Sequence, residues 1–135
     1  PHAAHPAARP PTARSGAPLL TTPSTQGLMG NPFQPDYNAS KAPDIALTRS
    51  MARELAPKVR VNAVAPGYVL TPMQRAEYSD EMLAEVNRKI PLERHADPAE
   101  IAALFASLAS ADATFINGQV YTIDGAETAG SLASR

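Results

Sequence analysis

The 135-residue chain contains no cysteine. This absence excludes disulfides, thiolate catalysis and cysteine-ligated zinc. No apolar run approaches the roughly 20 residues of a membrane span, and the amino-terminal segment lacks the apolar core of a signal peptide. The net charge is -1, so the chain lacks the excess of positive charge that is typical of proteins that bind nucleic acid or an anionic membrane surface. We therefore expect a soluble, cytoplasmic protein that binds neither nucleic acid nor a membrane.

Acidic residues are missing from the first 35 positions, and proline is concentrated there: eight of the 14 prolines precede Tyr37. Residues 1–16 are rich in proline, alanine and arginine without hydrophobic periodicity, which predicts a disordered or loosely attached tail. His2 and His5 lie in this tail without a visible third ligand, so no metal site is expected. The predicted folded domain covers residues 17–135.

Helical and extended patterns alternate along the rest of the chain. Short apolar or β-branched runs predict strands at residues 17–22, 59–65 and 119–123. Helical spacing of apolar residues predicts helices at about 37–56, at 79–89 and from 98 onward. Ser79 is expected to cap the helix at 79–89, and a capping box of Asp97 and Glu100 starts the last helix. Residues 27–35 are expected to form a loop. This alternation with buried strands argues for an α/β fold with a parallel sheet.

Tyr37 and Lys41 form the most informative pair in the sequence. On a helix their spacing places both side chains on one face, one turn apart. A positive charge beside a phenol stabilises its deprotonated form, so the pair can donate and accept a proton. Pro43 leaves two alternatives. A helix starting near Lys41 holds Pro43 in its first turn but separates the pair; a helix that includes Tyr37 loses a backbone bond to Ala39, costing about 3 kcal/mol.

Several separate motifs resemble the short-chain dehydrogenase/reductase family and follow the family's order. Tyr37 and Lys41 match its Tyr-x-x-x-Lys motif, and Ser24 lies 13 residues before the tyrosine, the family's usual separation for its catalytic serine. The segment RVNAVAPGYVLTPM (60–73) resembles the family's strand, Pro-Gly turn and nicotinamide-contacting threonine. The segment NGQVYTIDGAE (117–127) resembles its last strand and Asp-Gly-Gly ending. The resemblance covers about residues 23–125, which correspond to the family's C-terminal half. Within the family, the sequence most resembles polyol, sugar and ketone reductases.

This resemblance implies a partial Rossmann-like parallel sheet with flanking helices, the C-terminal half of a doubly wound fold. It also implies NAD(P)-dependent interconversion of a small-molecule secondary alcohol and ketone. Tyr37 would exchange the proton, Ser24 would donate a hydrogen bond to the carbonyl, and Lys41 would hold the nicotinamide ribose. The residues that would contact the cofactor are Tyr37, Lys41, Pro66, Gly67 and Thr71.

The sequence departs from the family in lacking the Gly-rich strand–turn–helix unit that binds the cofactor pyrophosphate. The segment that selects the cofactor is also absent, so NAD and NADP both stay open. We expect the 135-residue chain alone to bind cofactor weakly and to turn over little. A truncated gene model is one hypothesis, which upstream genomic sequence would test. The alternative function is a non-catalytic fragment that acts as an oligomerisation or interaction module.

A half-sheet is expected to expose a strand edge and an apolar face. Members of the family are commonly dimers or tetramers, so we also expect a homo-oligomer. Asn62 is expected to be structural, and His95 to be a loop residue before the Asp97 cap. Thr71 with Pro72 could alternatively form only a turn. Packing or surface positions are expected for Tyr68, Tyr78 and Tyr121.

Overall fold

The computed structural model describes residues 16–30 and 35–130. The predicted tail of residues 1–16, with His2 and His5, lies outside them except for Gly16. In chain order the elements are β1 (Leu19–Thr21), α1 (Thr25–Met29), α2 (Pro35–Leu55), β2 (Val61–Pro66), α3 (Pro72–Glu77), α4 (Asp80–Lys89), α5 (Pro98–Ala109), a 3₁₀ turn (Ala111–Ala113) and β3 (Val120–Ile123). No helix in the described part of the chain has the length and apolar character to cross a membrane.

The three strands form one parallel sheet in the order β1-β2-β3. Leu19 is paired with Val61, and Ala63 with Val120. The central strand β2 is buried over its first five residues, as expected for a parallel strand covered on both faces. Helices α2 and α5 both contact it. The predicted α/β fold with a parallel sheet is therefore confirmed.

Helix α2 begins at Pro35 and contains Pro43 in its interior. The alternative of a helix that starts near Lys41 is therefore wrong, and Tyr37 and Lys41 share a regular turn. The helix buries Thr48, Ala52 and Leu55, which recur at helical spacing. Leu47, another apolar residue of this helix, is 50% exposed.

We predict that Pro43→Ala stabilises the domain by about 1–3 kcal/mol. Proline in a helix interior removes one backbone hydrogen bond and crowds the preceding turn, whereas alanine has the best helix propensity. Pro43 is exposed, so the substitution removes no packing. Urea unfolding followed by circular dichroism measures the change. Ala46→Pro, at another exposed position of α2, is the matched control and should destabilise; an unchanged midpoint for Pro43→Ala would contradict the prediction.

Two short helices occur at positions where the sequence analysis expected a loop or gave a turn as an alternative. Helix α1 begins after Ser24, whose side chain accepts a hydrogen bond from the Gln26 amide, so the loop prediction is wrong for residues 27–29. Helix α3 begins after Thr71, whose side chain accepts from the Gln74 amide. Serine and threonine are favoured at such N-caps, and the Thr-Pro pair at α3 is a recognisable start. The serine and the threonine at these two positions are therefore the sequence signals that could have predicted both helices.

Close packing of α1 against α2 explains why α1 forms. A side-chain carbon at Gly27 would lie 2.9 Å from the Lys41 backbone carbon, closer than atoms pack. Glycine therefore allows the two helices to approach each other at this point. This contact fixes residues 24–26 beside the turn of α2 that carries Tyr37 and Lys41.

Three further predictions of local structure agree with the structure. Ser79 caps α4, and Asp97 with Glu100 forms the predicted capping box of α5. Asn62 is fully buried; its side chain donates to the Ile116 carbonyl (2.9 Å) and accepts from the Gln119 amide (3.0 Å). The structural role expected for Asn62 is confirmed, since it joins β2 to the segment that leads into β3.

Candidate active site at the carboxyl edge of the sheet

An open cleft of about 230 Å³ lies at the edge of the sheet where the strands end. Because all three strands are parallel, the segments that follow them meet at this edge. Residues 24–26 follow β1, Gly67 and Tyr68 follow β2, and Glu127 follows β3; all of them line the cleft. We call this the carboxyl-edge cleft. Its position is the one at which ligands bind in open parallel α/β sheets.

Ser24 lies on the wall of the cleft at the N-cap of α1. Its oxygen accepts a hydrogen bond from the Gln26 amide at 3.3 Å. That bond uses a lone pair and leaves the hydroxyl proton available, because a hydroxyl is both a donor and an acceptor. Ser24 can therefore cap the helix and donate a hydrogen bond into the cleft at the same time.

Tyr37 lines the same cleft from the first turns of α2. Its side chain is 45% exposed, so a ligand can reach the ring. The Lys41 ammonium lies 5.7 Å from the centre of that ring, within the range of a cation–π contact. No ion pair joins Lys41 to another residue of the described ranges. The structure thus brings Ser24 and Tyr37 to one cavity and keeps Lys41 one turn away from Tyr37.

The other three residues predicted to contact the cofactor are Pro66, Gly67 and Thr71, and only Gly67 lines the cleft. Gly67 lines the cleft, and a side-chain carbon there would lie 2.8 Å from both Asp124 Cβ and Glu127 Oε2. The Pro66 carbonyl accepts a hydrogen bond of 3.4 Å from the Thr25 hydroxyl. Thr71 caps α3. Glycine at position 67 is thus required by the close approach of the segment after β3.

Sequence reasoning missed part of the cleft wall. Tyr68 and Tyr78, expected at packing or surface positions, both line it, and so do Gln26, Gln74 and Glu127. Only the rule that carboxyl ends of parallel strands meet could have suggested Tyr68 and Glu127, since each follows a predicted strand. Tyr121, the third tyrosine expected at a packing or surface position, lies on β3.

A tight turn after β3 holds Glu127 in place. The Asp124 carboxylate accepts hydrogen bonds from the Ala126 amide (3.0 Å) and from the Thr128 amide (3.0 Å) and hydroxyl (2.6 Å). Burial, and to a smaller extent the charge of Asp124, raises the pKa of Glu127. Burial, followed by the charge of Glu127, raises the pKa of Tyr68. The cleft therefore has an acidic side that the sequence analysis did not anticipate.

His95 lies in the loop before Asp97, as predicted, but it is buried. Its Nδ1 is 2.6 Å from Asn87 Oδ1, and its ring meets Tyr68 edge to face at 5.8 Å. Burial lowers its pKa. His95 therefore packs behind Tyr68 and, among the described residues, is not part of the cleft lining.

Comparison with known proteins places this geometry in a family. A family model described as enoyl-(acyl carrier protein) reductase matches residues 2–126. The chain is 43% identical over 113 residues to 3-oxoacyl-[acyl-carrier-protein] reductase FabG of Staphylococcus epidermidis, covering 83% of this chain and 46% of the relative. It is 36% identical over 111 residues to a glucose and ribitol dehydrogenase homolog of Oryza sativa subsp. japonica, covering 82% of this chain and 37% of that protein.

A solved structure gives the same result for the fold. The crystal structure of a short-chain dehydrogenase/reductase, glucose/ribitol dehydrogenase, from Brucella melitensis superposes with a TM-score of 0.76 and 35% identity, covering 83% of this chain and 45% of that chain. The chain belongs to the short-chain dehydrogenase/reductase family, whose members are oxidoreductases. It spans about half the length of the curated relatives that it matches.

Proposed function

We propose that the carboxyl-edge cleft is the substrate side of an NAD(P)-dependent oxidoreductase that interconverts a secondary alcohol and a ketone. One observation carries the proposal: Ser24 and Tyr37, from separate elements, line one cleft, and Lys41 stands one turn from Tyr37. These are the serine, tyrosine and lysine that match the family's motif. The alternative of a non-catalytic interaction module, and the expected homo-oligomer, stay predictions.

The described residues fit the nicotinamide–ribose end of the cofactor. Ser24 keeps a free hydroxyl proton, Tyr37 is accessible, and the Lys41 ammonium has no acidic partner among the described residues. Ribose hydroxyls and a reacting carbonyl are acceptors for such donors. Lys41 would hold the ribose, with Pro66, Gly67 and Thr71 near the nicotinamide.

Proton transfer in this proposal belongs to Tyr37. When bound, the reduced cofactor supplies the hydride that adds to the carbonyl carbon. The carbonyl oxygen then gains alkoxide character, and the Tyr37 hydroxyl donates its proton to that oxygen. Ser24 donates a hydrogen bond to the same oxygen and stabilises the developing charge. In the direction of alcohol oxidation, the Tyr37 phenolate accepts the proton instead.

Cofactor titration of the 135-residue chain tests how much of the binding site these residues supply. We predict dissociation constants of about 1 mM or weaker for NADH and NADPH, because the sequence contains no Gly-rich helix start to bind the pyrophosphate. The enhancement of nicotinamide fluorescence on binding measures the constants. Micromolar binding would contradict the prediction and would show that these residues bind the cofactor without that segment. Lys41→Met, which removes the ammonium, is the matched control and should weaken the residual binding.

A further inference from the structure

Among the described residues, His95 is the only titratable side chain that is buried, with 7% of its surface exposed. Burying a group that can carry a charge is unfavourable unless the charged form has a partner. The proton transfer assigned to Tyr37 does not use His95, and the ring does not line the carboxyl-edge cleft. Its place behind the cleft wall therefore indicates a role in holding that wall.

One hydrogen bond fixes the protonation of the ring. Nδ1 of His95 lies 2.6 Å from Asn87 Oδ1, and an amide oxygen only accepts, so Nδ1 carries the proton. In the neutral ring Nε2 is then the unprotonated nitrogen, and it is buried without a hydrogen-bond partner in the described part of the chain. A second proton would therefore place a charged donor at an atom that has no acceptor beside it.

The neutral ring connects α4 to the segment that follows β2. Asn87 lies in the last turn of α4, and the ring meets Tyr68 edge to face at 5.8 Å, which is a favourable geometry for two aromatic rings. The Ala96 amide donates to the Tyr68 carbonyl at 2.9 Å, and the Leu70 amide donates to the Ala96 carbonyl at 2.9 Å. His95 is thus held against the cleft wall by its neighbour in the chain and holds α4 through its ring.

Helix α4 depends on this junction because its own packing is weak. None of its 10 residues is buried, whereas most of the stability of a helix in a protein comes from burying an apolar face. Tyr78, which lines the cleft, directly precedes the Ser79 cap of α4. Movement of α4 therefore moves the Tyr78 side of the cleft.

The charges around the ring give a protonated His95 no partner. The titratable and charged side chains on the surrounding elements are Tyr68 after β2, Lys89 on α4, Arg94, Asp97 and Glu100 around the start of α5, and Glu127 after β3. None of them shifts the pKa of His95, which burial alone lowers. Glu100 is paired with Arg94 at 2.7 Å, and the Asp97 carboxylate accepts from the Ala99 amide at 2.7 Å.

We propose that His95 is a positioning residue for the carboxyl-edge cleft: its neutral ring holds Tyr68 and α4 in place, and its protonation releases α4 together with the Tyr78 side of the cleft. The ordinary pKa of a histidine is about 6.5. Below that value the released form binds a proton that the closed form excludes, because burial lowers the pKa of His95 in the closed form. Attachment of α4 is therefore strongest above this pH and weakens as the pH falls below it.

The test follows the 135-residue chain by NMR between about pH 8 and about pH 5, the range in which histidine titrates. The Hε1 resonance of His95 should titrate at lower pH than those of His2 and His5, the other two histidines of the chain. The amides of Tyr78 and Leu83 should shift with the midpoint of His95. Hydrogen-exchange protection of α4, corrected for the intrinsic rate, should fall at least about fivefold, the equivalent of one hydrogen bond. A His95 with an ordinary pKa, or amides of α4 that do not respond to pH, would overturn the inference.

Two variants separate the protonation of His95 from a merely structural role. His95→Gln keeps an uncharged hydrogen-bond donor and should remove the pH dependence of α4, while the titration of Glu127, whose pKa is raised, stays the same in both chains. Asn87→Asp places a carboxylate beside Nδ1 and should have the opposite effect: the pKa of His95 rises, and α4 stays attached at the acid end of the range.

The same variants decide against the inference if they behave otherwise. A His95→Gln chain with the wild-type pH profile would refute it, and so would an Asn87→Asp chain that releases α4 as the wild type does. If the amide spectrum shows that His95→Gln does not fold, Asn87→Asp decides alone. Neither measurement needs a cofactor or a substrate, so the result is independent of the proposed oxidoreductase activity.

Discussion

Tyr37→Phe is expected to lower the rate of carbonyl reduction by about 10²–10⁴-fold, the contribution of a positioned general acid. The substitution removes only the phenol oxygen, and no hydrogen bond from that oxygen to another described residue holds the fold together. The free energy of unfolding should therefore change by no more than about 0.5 kcal/mol. The expected result is loss of chemistry in a folded protein.

The measurement is oxidation of NADH and NADPH at millimolar concentration and high protein concentration, followed by absorbance. Tyr121→Phe is the matched control, because Tyr121 lies on β3 and is not among the described lining residues. It should retain the wild-type rate within about twofold. A Tyr37→Phe chain that keeps its rate would refute the assignment of Tyr37 as the acid, whatever the cofactor affinity.

Asn62→Ala is expected to lower the free energy of unfolding by about 2–3 kcal/mol. The fully buried amide of Asn62 is the acceptor for the Gln119 backbone N–H, which would be left without a partner. The Ile116 carbonyl would be affected less, because it also accepts from Arg60 Nη1 at 3.2 Å. The predicted loss thus comes mainly from one amide and from the volume of the removed side chain.

Urea unfolding of matched variants checks this prediction. Gln119→Ala is the control, because it removes an exposed side chain but keeps the backbone N–H that Asn62 binds. Its unfolding free energy should change by less than about 0.5 kcal/mol. If both variants unfold at the same denaturant concentration, Asn62 does not join β2 to β3 in the way that the structure indicates.

Local sequence patterns predicted the elements whose cause is local. The Asp97–Glu100 capping box, the Ser79 cap and the β-branched run of β2 each require only neighbouring residues, and all three agree with the structure. The sequence did not decide where α2 begins, because proline is unfavourable in a helix interior and Pro43 would lie there if the helix included Tyr37. Tertiary packing decided it: the carboxyl half of α2 buries Thr48, Ala52 and Leu55, and its amino half packs on α1.

Helix α1 was missed because five residues are too few to show periodicity. Its glycine gives no helix signal either, since glycine weakens helices in isolation. Only contact with α2 explains it, and that contact joins positions far apart in the sequence, Gly27 and Lys41.

The sequence alone determined the family resemblance, the parallel α/β fold and the Ser24, Tyr37 and Lys41 set, because these depend on residue identity and spacing. The tertiary structure alone decided that Ser24 and Tyr37 share one cleft and that Glu127, Gln26 and Gln74 surround it. The physical reason is that parallel strands bring distant segments to a common edge. A local sequence pattern cannot predict which side chains meet at the carboxyl edge of the sheet.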